Sequence, residues 1–439
     1  MKINSSKLRF LLCALLIIST ISFGQSESSL AEKIKSLPDV LEVISTDHNS
    51  NYSDAFVIKV QQPLDHNNPG GETFSQKVIL SHINFSSPMV ISTEGYAAFR
   101  NYQTEPASIL NANQIIVENR FFNESKPDSL NWEFLTSEQC AADLHHITSI
   151  FKELYKGKWV STGISKGGQT CLFYRYYYPD DVNATIAYVA PINLAQENPA
   201  INKFIAEEVG TIECRDEITS FQVDALNNRN EILPILKKYA EEKGYKFSIG
   251  LNSAFEFAVL EYPYSFWQTS PSSCDKTPKT NLTPEEIFEE LKKVSGFSLF
   301  TDNTGEYLAP LFYQSFSELG YYNFYYNPPS VTDLIISKPF PTYKVFLPKG
   351  VKVVYHPEVL EKINSWLQNN GNNIIYINGG NDPWSDGAGM KLIGKTNSFV
   401  AMKKYGTHGT RIRNFDEPEK QKIYKALVSW LEVKIEKSD

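Results

Sequence analysis

A serine set between glycines is the residue best placed to do chemistry in this chain. In Trp159-Val-Ser-Thr-Gly163-Ile-Ser165-Lys-Gly167-Gly168, an apolar run of strand character enters a Gly-x-Ser-x-Gly turn, and a helical pattern follows. A serine hydroxyl attacks a carbonyl only when it is held exposed on a tight turn, beside a base and facing backbone N–H donors. Gly163 and Gly167 leave room for such a turn, because a β-carbon at either position would block the approach of strand and helix. The motif alone recurs by chance, and its strand-before, helix-after setting is what gives it weight. The backbone N–H of Lys166 is the expected first donor to an oxyanion, and the N–H of Tyr96, in Ser92-Thr-Glu94-Gly95-Tyr96, the expected second.

A base and its orienting acid are expected further along the chain. Asn378-Gly-Gly-Asn-Asp382-Pro383-Trp384 is a polar turn directly after the apolar run 373–377. His408, in Lys404-Tyr-Gly406-Thr-His408-Gly409, follows the run Phe399-Val-Ala-Met402. An aspartate before proline is more often a plain turn starter, and a loop histidine more often a solvated surface group. Order and position outweigh those readings here. Of seven histidines, His48, His66 and His82 come before the sheet core, His145 and His146 lie on a helix upstream of the serine, and His356 precedes the acid. The expected roles are Ser165 as nucleophile, His408 as general base and then acid, and Asp382 as the group that orients the imidazole.

These residues need a sheet to bring them together. The runs 56–60, 77–80, 89–92, 114–117, 186–189, 351–355, 373–377 and 399–402 read as strands. Helical spacing over 137–155, with Ser137 as its cap, over the segment from the serine to Tyr178, over 357–369 and over 418–433 alternates with them. Between about Asn193 and Tyr343 the texture changes to helical patterns (232–242, 284–294) mixed with aromatic and Pro-rich stretches. The alternation predicts an α/β-hydrolase core with a mostly parallel sheet and an inserted, largely helical cap. The expected division is a leader over 1–24, core over 25–192, cap over 193–343 and core again over 344–439.

Lys2, Lys7 and Arg9, then an apolar run from Phe10 to Ile18, then small and polar residues to Gly24 have the form of a cleaved export signal. The run falls short of the ~20 residues that span a bilayer, so a secreted or periplasmic protein without stable membrane insertion is expected. Loss of three basic and no acidic residues with the leader moves the net charge from −8 to −11. That charge argues against a nucleic-acid partner. Of the cysteines that remain, Cys214 and Cys274 are the favoured pair, because both lie in the polar middle region, and Cys171 reads as a buried thiol. Neither zinc-ligand spacing nor a dinucleotide glycine motif occurs, so no metal or cofactor is expected. Nothing in the sequence marks an oligomeric state.

With these motifs the chain resembles the secreted serine peptidase family of prolyl tri- and tetrapeptidyl aminopeptidases, relatives of the prolylcarboxypeptidases. The likeness rests on Gln62-Pro-Leu-Asp-His66 and Phe74-Ser-Gln-Lys-Val-Ile-Leu80, on Thr93-Glu-Gly-Tyr96, Glu118-Asn-Arg-Phe-Phe122 and Trp132-Glu-Phe-Leu-Thr136, and on the three motifs above. Asn119 stands where relatives carry histidine. The resemblance implies release of tri- or tetrapeptides from the free N-terminus of short peptides, with proline at the scissile carbonyl. Such an enzyme needs an aromatic surface for the proline ring and a carboxylate for the substrate ammonium. Trp267 and Glu261, both in Glu261-Tyr-Pro-Tyr-Ser-Phe-Trp267, are candidates, with Glu94 and Glu118 as alternative carboxylates. A secreted carboxylesterase or lipase with the same triad, or a hydrolase-fold binding protein with a dead site, are the competing readings.

Overall fold

Nine strands pair into one sheet in the order β1-β2-β3-β5-β4-β6-β7-β8-β9 among the residues described. They are β1 (Val40–Ser45), β2 (Asp54–Pro63), β3 (Thr73–His82), β4 (Met89–Thr93), β5 (Asn113–Val117), β6 (Trp159–Ile164), β7 (Ala184–Tyr188), β8 (Ile374–Gly379) and β9 (Phe399–Lys403). The structure, a computed structural model, describes residues 30–435 apart from 270–273, 280, 325–326 and 387–389. The proposed leader therefore lies outside the described residues.

β1, β2, β3 and β5 pair antiparallel, and β5, β4, β6, β7, β8 and β9 run parallel. Parallel neighbours need crossovers, and those crossovers cover both faces of the sheet. Accordingly β4, β5, β7 and β8 are buried at every position. On one face Leu144, Ile147, Ile150 and Phe151 of the helix Ser137–Phe151 pack in one apolar cluster with Val78, Leu80, Ile91 and Ile115. On the other, Ile423, Leu427 and Leu431 of the helix Glu417–Leu431 share a cluster with Val90, Val160, Ile186 and Ile377. Each such side chain contributes roughly 1.5–3 kcal/mol by leaving water. This is the α/β-hydrolase architecture.

Between β7 and β8 the named elements are helices only. Their aromatic core runs from Ile201 to Tyr343 and meets the sheet domain at Ala97 and Phe122. The run 261–267 lies inside the helix Leu251–Thr269 rather than in an irregular stretch. Pro263 takes away one backbone donor there. The carbonyl of Val259 is instead satisfied by Gln222 Nε2 at 2.8 Å. The Cys214–Cys274 bridge is present, with Cα atoms 5.4 Å apart, and Cys171 is a buried free thiol.

Two expectations need correction, and one strand was unread. Residues 351–355 are not a strand. Val354 is exposed while Val353 packs on the cap core, and the β-branched run has no sheet partner. β1 went unread because its Leu41 and Ile44 are both exposed on the sheet edge. The cap of the helix Ser137–Phe151 is Thr136, whose side chain accepts from Gln139 N at 3.1 Å. The Ser137 N–H donates instead to the Glu318 carboxylate at 2.7 Å, tying the cap region to the core.

Candidate active site

The parallel strands end at one edge of the sheet, and every motif residue follows such an end. β6 ends at Ile164, and Ser165 adopts φ +58° and ψ −126° before the helix Lys166–Tyr177 begins. A non-glycine residue at positive φ costs on the order of 1–3 kcal/mol and persists only where its surroundings hold it. Here they do. Ser165 N donates to Tyr188 O, and Gln169 N to Ser165 O, each at 2.9 Å. A β-carbon on Gly163 would collide with the Gly167 carbonyl, and one on Gly167 with the Thr93 carbonyl. The two glycines let strand, helix and the loop after β4 close on one another around the serine.

That loop is pressed against the turn. Gly95 has φ +70°, and a β-carbon there would meet Gly167 N at 2.6 Å and the Lys166 carbonyl carbon at 2.7 Å. Glu94 N donates to Val117 O at 3.2 Å, and Asn119 N to Tyr96 O at 2.9 Å, which fixes the loop on β5 and its continuation. Among the described residues the Tyr96 N–H has no protein acceptor. Lys166, the first residue of its helix, has an N–H beyond the helix's own acceptors.

Asp382 and His408 are brought together. Asp382 is fully buried, and both its oxygens lie 3.0 Å from His408 Nδ1. The carboxylate also accepts from Ser385 Oγ at 2.6 Å and Trp384 N at 3.3 Å. Nδ1 is thereby occupied, and Nε2 is the ring nitrogen left to exchange a proton with another group. The His408 N–H donates to Gln268 O at 3.0 Å, on the segment that closes the cap helix Leu251–Thr269. Gln268 lines the same cavity as Ser165. Among the described residues no hydrogen bond joins the Ser165 hydroxyl to His408. Catalytic hydrogen bonds of ligand-free enzymes commonly tighten only when substrate arrives.

The cavity over Ser165 encloses about 320 Å³ between sheet edge and cap. Lys166, Tyr96, Trp384, Tyr321, Tyr322 and Glu261 are among its walls. Glu261 is 3% exposed. Tyr322 and Tyr343 each donate a hydroxyl to its Oε2 at 2.6 Å, and Ser265 donates to Oε1 at 2.8 Å. Burial pushes its carboxyl above the usual carboxylate range, against the pull of those donors. No cation pairs with it among the described residues. A carboxylate held ready by hydroxyls and lacking a counter-ion suits a ligand that brings a positive charge.

Other expected substrate contacts lie elsewhere. Trp267 is packed in the cap core against Gly210 and lines a second cavity with Asn202 and Pro263, not the one over Ser165. The aromatic wall is built by Tyr321, Tyr322 and Trp384 instead, with ring centroids of each tyrosine and Trp384 5.4 and 5.2 Å apart. Glu94 takes a hydrogen bond of 2.5 Å from Tyr102 and borders a separate small space with Glu118 and Asn119. Glu118 accepts from Ala98 N and Ser125 Oγ, which makes it a loop-holding carboxylate. Tyr322, Tyr343 and Ser265 were missed. Ser265, one helical turn after Glu261, was the one legible in spacing. No group of three or more His, Cys, Asp or Glu side chains among the described residues is arranged to hold a metal ion. No described helix is long and apolar enough to cross a membrane.

The chain is 30% identical over 439 aligned residues to the prolyl tri/tetrapeptidyl aminopeptidase of Streptomyces mobaraensis, covering 96% of this chain and 91% of that one. It is 27% identical over 267 residues to prolyl carboxy peptidase like protein 5 of Caenorhabditis elegans, covering 49% of each. Among solved structures, the proline iminopeptidase of Mycobacterium smegmatis aligns with a TM-score of 0.39 at 12% identity, over 84% of this chain and 96% of that one. Residues 27–438 match the PS-10 peptidase S37 family, and the chain belongs to it.

Proposed function

We propose that this chain is an exported serine exopeptidase that releases tri- or tetrapeptides from the free N-terminus of short peptides, with proline at the scissile carbonyl. Ser165 attacks that carbonyl while His408 takes its proton, and Asp382 keeps the imidazole in the required tautomer. The negative oxygen is met by the N–H groups of Lys166 and Tyr96. The tetrahedral intermediate collapses as His408 returns the proton to the leaving amine, leaving an acyl-enzyme on Ser165. Water, deprotonated by His408, then releases the peptide acid and restores the serine.

The observation that carries this reading is the Glu261 carboxylate in the wall of the cavity that also holds Ser165. An ester pocket has no use for such a group, whereas a substrate ammonium would form a charge-assisted hydrogen bond to it. The aromatic side chains of Tyr321, Tyr322 and Trp384 in the wall suit an apolar proline ring. A volume near 320 Å³ is at the lower end for small-ligand sites, which favours short chains over folded proteins. Residues 193–343 act as the cap that closes this space, and the leader pattern of residues 1–24 supports export.

Hydrolysis of Ala-Ala-Pro-p-nitroanilide with a free and with an acetylated N-terminus, beside p-nitrophenyl butyrate, tests the proposal. Preference for the free peptide is expected. Cleavage of the ester alone would remove the peptidase reading, and equal rates on free and blocked peptide would remove its exopeptidase part. Loss of none of these activities in Ser165→Ala would remove the nucleophile.

A further inference from the structure

The turn at Ser165 uses only the backbone of Lys166, yet the residue is 4% exposed and its side chain runs beneath the loop after β4. Its Nζ donates to Gly95 O at 2.8 Å and lies 5.7 Å and 5.6 Å from the ring centroids of Tyr96 and Phe122. Among the described residues no carboxylate pairs with it. An ammonium in so dry a place is costly unless its charge is used.

The carbonyl it holds and the Tyr96 N–H belong to one peptide unit. In a trans peptide the two point in opposite directions. Fixing the oxygen on the Lys166 side therefore aims the N–H the other way, and that N–H has no protein acceptor. A cation on the carbonyl also polarises the amide, which strengthens the hydrogen bond its N–H can give. Gly95 has no side chain to resist rotation of this plane, so the tether has a purpose.

We propose that Lys166 is a positioning residue whose ammonium orients and polarises the Gly95–Tyr96 peptide as an oxyanion donor. One residue thus supplies the first donor from its backbone and governs the second from its side chain. The proposal rests on Ser165 being the nucleophile.

Lys166→Met keeps the stem and removes the donor. With Ala-Ala-Pro-p-nitroanilide, kcat is expected to fall roughly 10- to 100-fold, since outright loss of one oxyanion donor costs about 10²–10³. KM stays within about twofold. An unchanged kcat, or a loss confined to KM, would overturn the proposal. A second measurement needs no variant: the rate at which a fluorophosphonate labels wild-type Ser165, followed from pH 6 to 10. Burial pushes the Lys166 ammonium down to about 8, with Cys140 opposing. The titratable groups that face it stay uncharged near that pH, because burial raises the Cys140 thiol to about 11 and moves the Tyr96 phenol above its usual range. Labelling is expected to fall several-fold as Lys166 loses its charge. A rate level to pH 10 would overturn the proposal. An unlabelled wild-type Ser165 would remove both readings, whereas a labelled wild type with a full-rate Lys166→Met enzyme removes only this one.

Discussion

Glu261→Gln separates the charge of the proposed amine anchor from its shape. The amide has the size of the carboxylate and keeps an acceptor for Tyr322 and Tyr343, which donate to Oε2 at 2.6 Å. The attraction for a substrate ammonium is lost, and Ser265 Oγ turns from donor to acceptor against the new amide nitrogen. Hydrogen bonds to charged groups contribute about 1.5–3 kcal/mol, and each 1.4 kcal/mol is a factor of ten. The kcat/KM for a free N-terminal tripeptide anilide is therefore expected to fall roughly 10- to 150-fold, with the acetylated substrate unaffected. Stability should move the other way. The folded state raises the Glu261 carboxyl above its ordinary range. Such a group favours folding below its ordinary pKa, and that contribution is lost as pH rises through the raised value. At pH 7 its ionised form weighs against the fold, so Glu261→Gln should melt at or above the wild-type temperature. By the same shift, wild-type preference for the free amine should fade on acidification before an ordinary carboxyl would protonate. Equal losses on free and acetylated substrates, or no loss on either, would refute the assignment.

Two further outcomes follow from the geometry. Asp382→Asn should lower kcat by several orders of magnitude in the peptide assay with the fold intact by circular dichroism, because an amide facing His408 Nδ1 favours the wrong tautomer; a loss under tenfold would unseat Asp382. Replacing Cys214 and Cys274 together by serine opens a link between residues 60 apart, so denaturant titration should show a loss of up to about 4 kcal/mol, the chain-entropy ceiling for such a loop, with kcat unchanged.

Much of the core was legible because burial on both faces leaves a plain mark. The apolar stretches of β4, β5, β7 and β8 read as strands, and the polar turn after β8 and the loop after β9 stand out against them. Asp382 and His408 could be picked out for that reason, and the pair meets as strand order demanded. Where one face is open the signal faded. β1 alternates too weakly for an edge, and 351–355 has strand composition without a strand's partner. The cap was harder still. Its aromatic residues look alike in sequence, and which ring reaches the cavity depends on helix rotation and on how Pro263 is absorbed. Trp267 thus turned into the cap core, while Tyr321 and Tyr322, after Gly320, face Ser165's cavity. Glu261 was legible as a charge among aromatics; its hydroxyl partners Tyr322 and Tyr343 are 61 and 82 residues away and invisible to local spacing.

The most direct test of the hydrolytic chemistry is to react the protein with a fluorophosphonate, digest it and locate the adduct by mass spectrometry. A single adduct on the peptide that carries Ser165, lost in His408→Ala, is the outcome expected if the imidazole primes that hydroxyl. An adduct on another serine, or full peptidase activity with Ser165 unmodified, would contradict it.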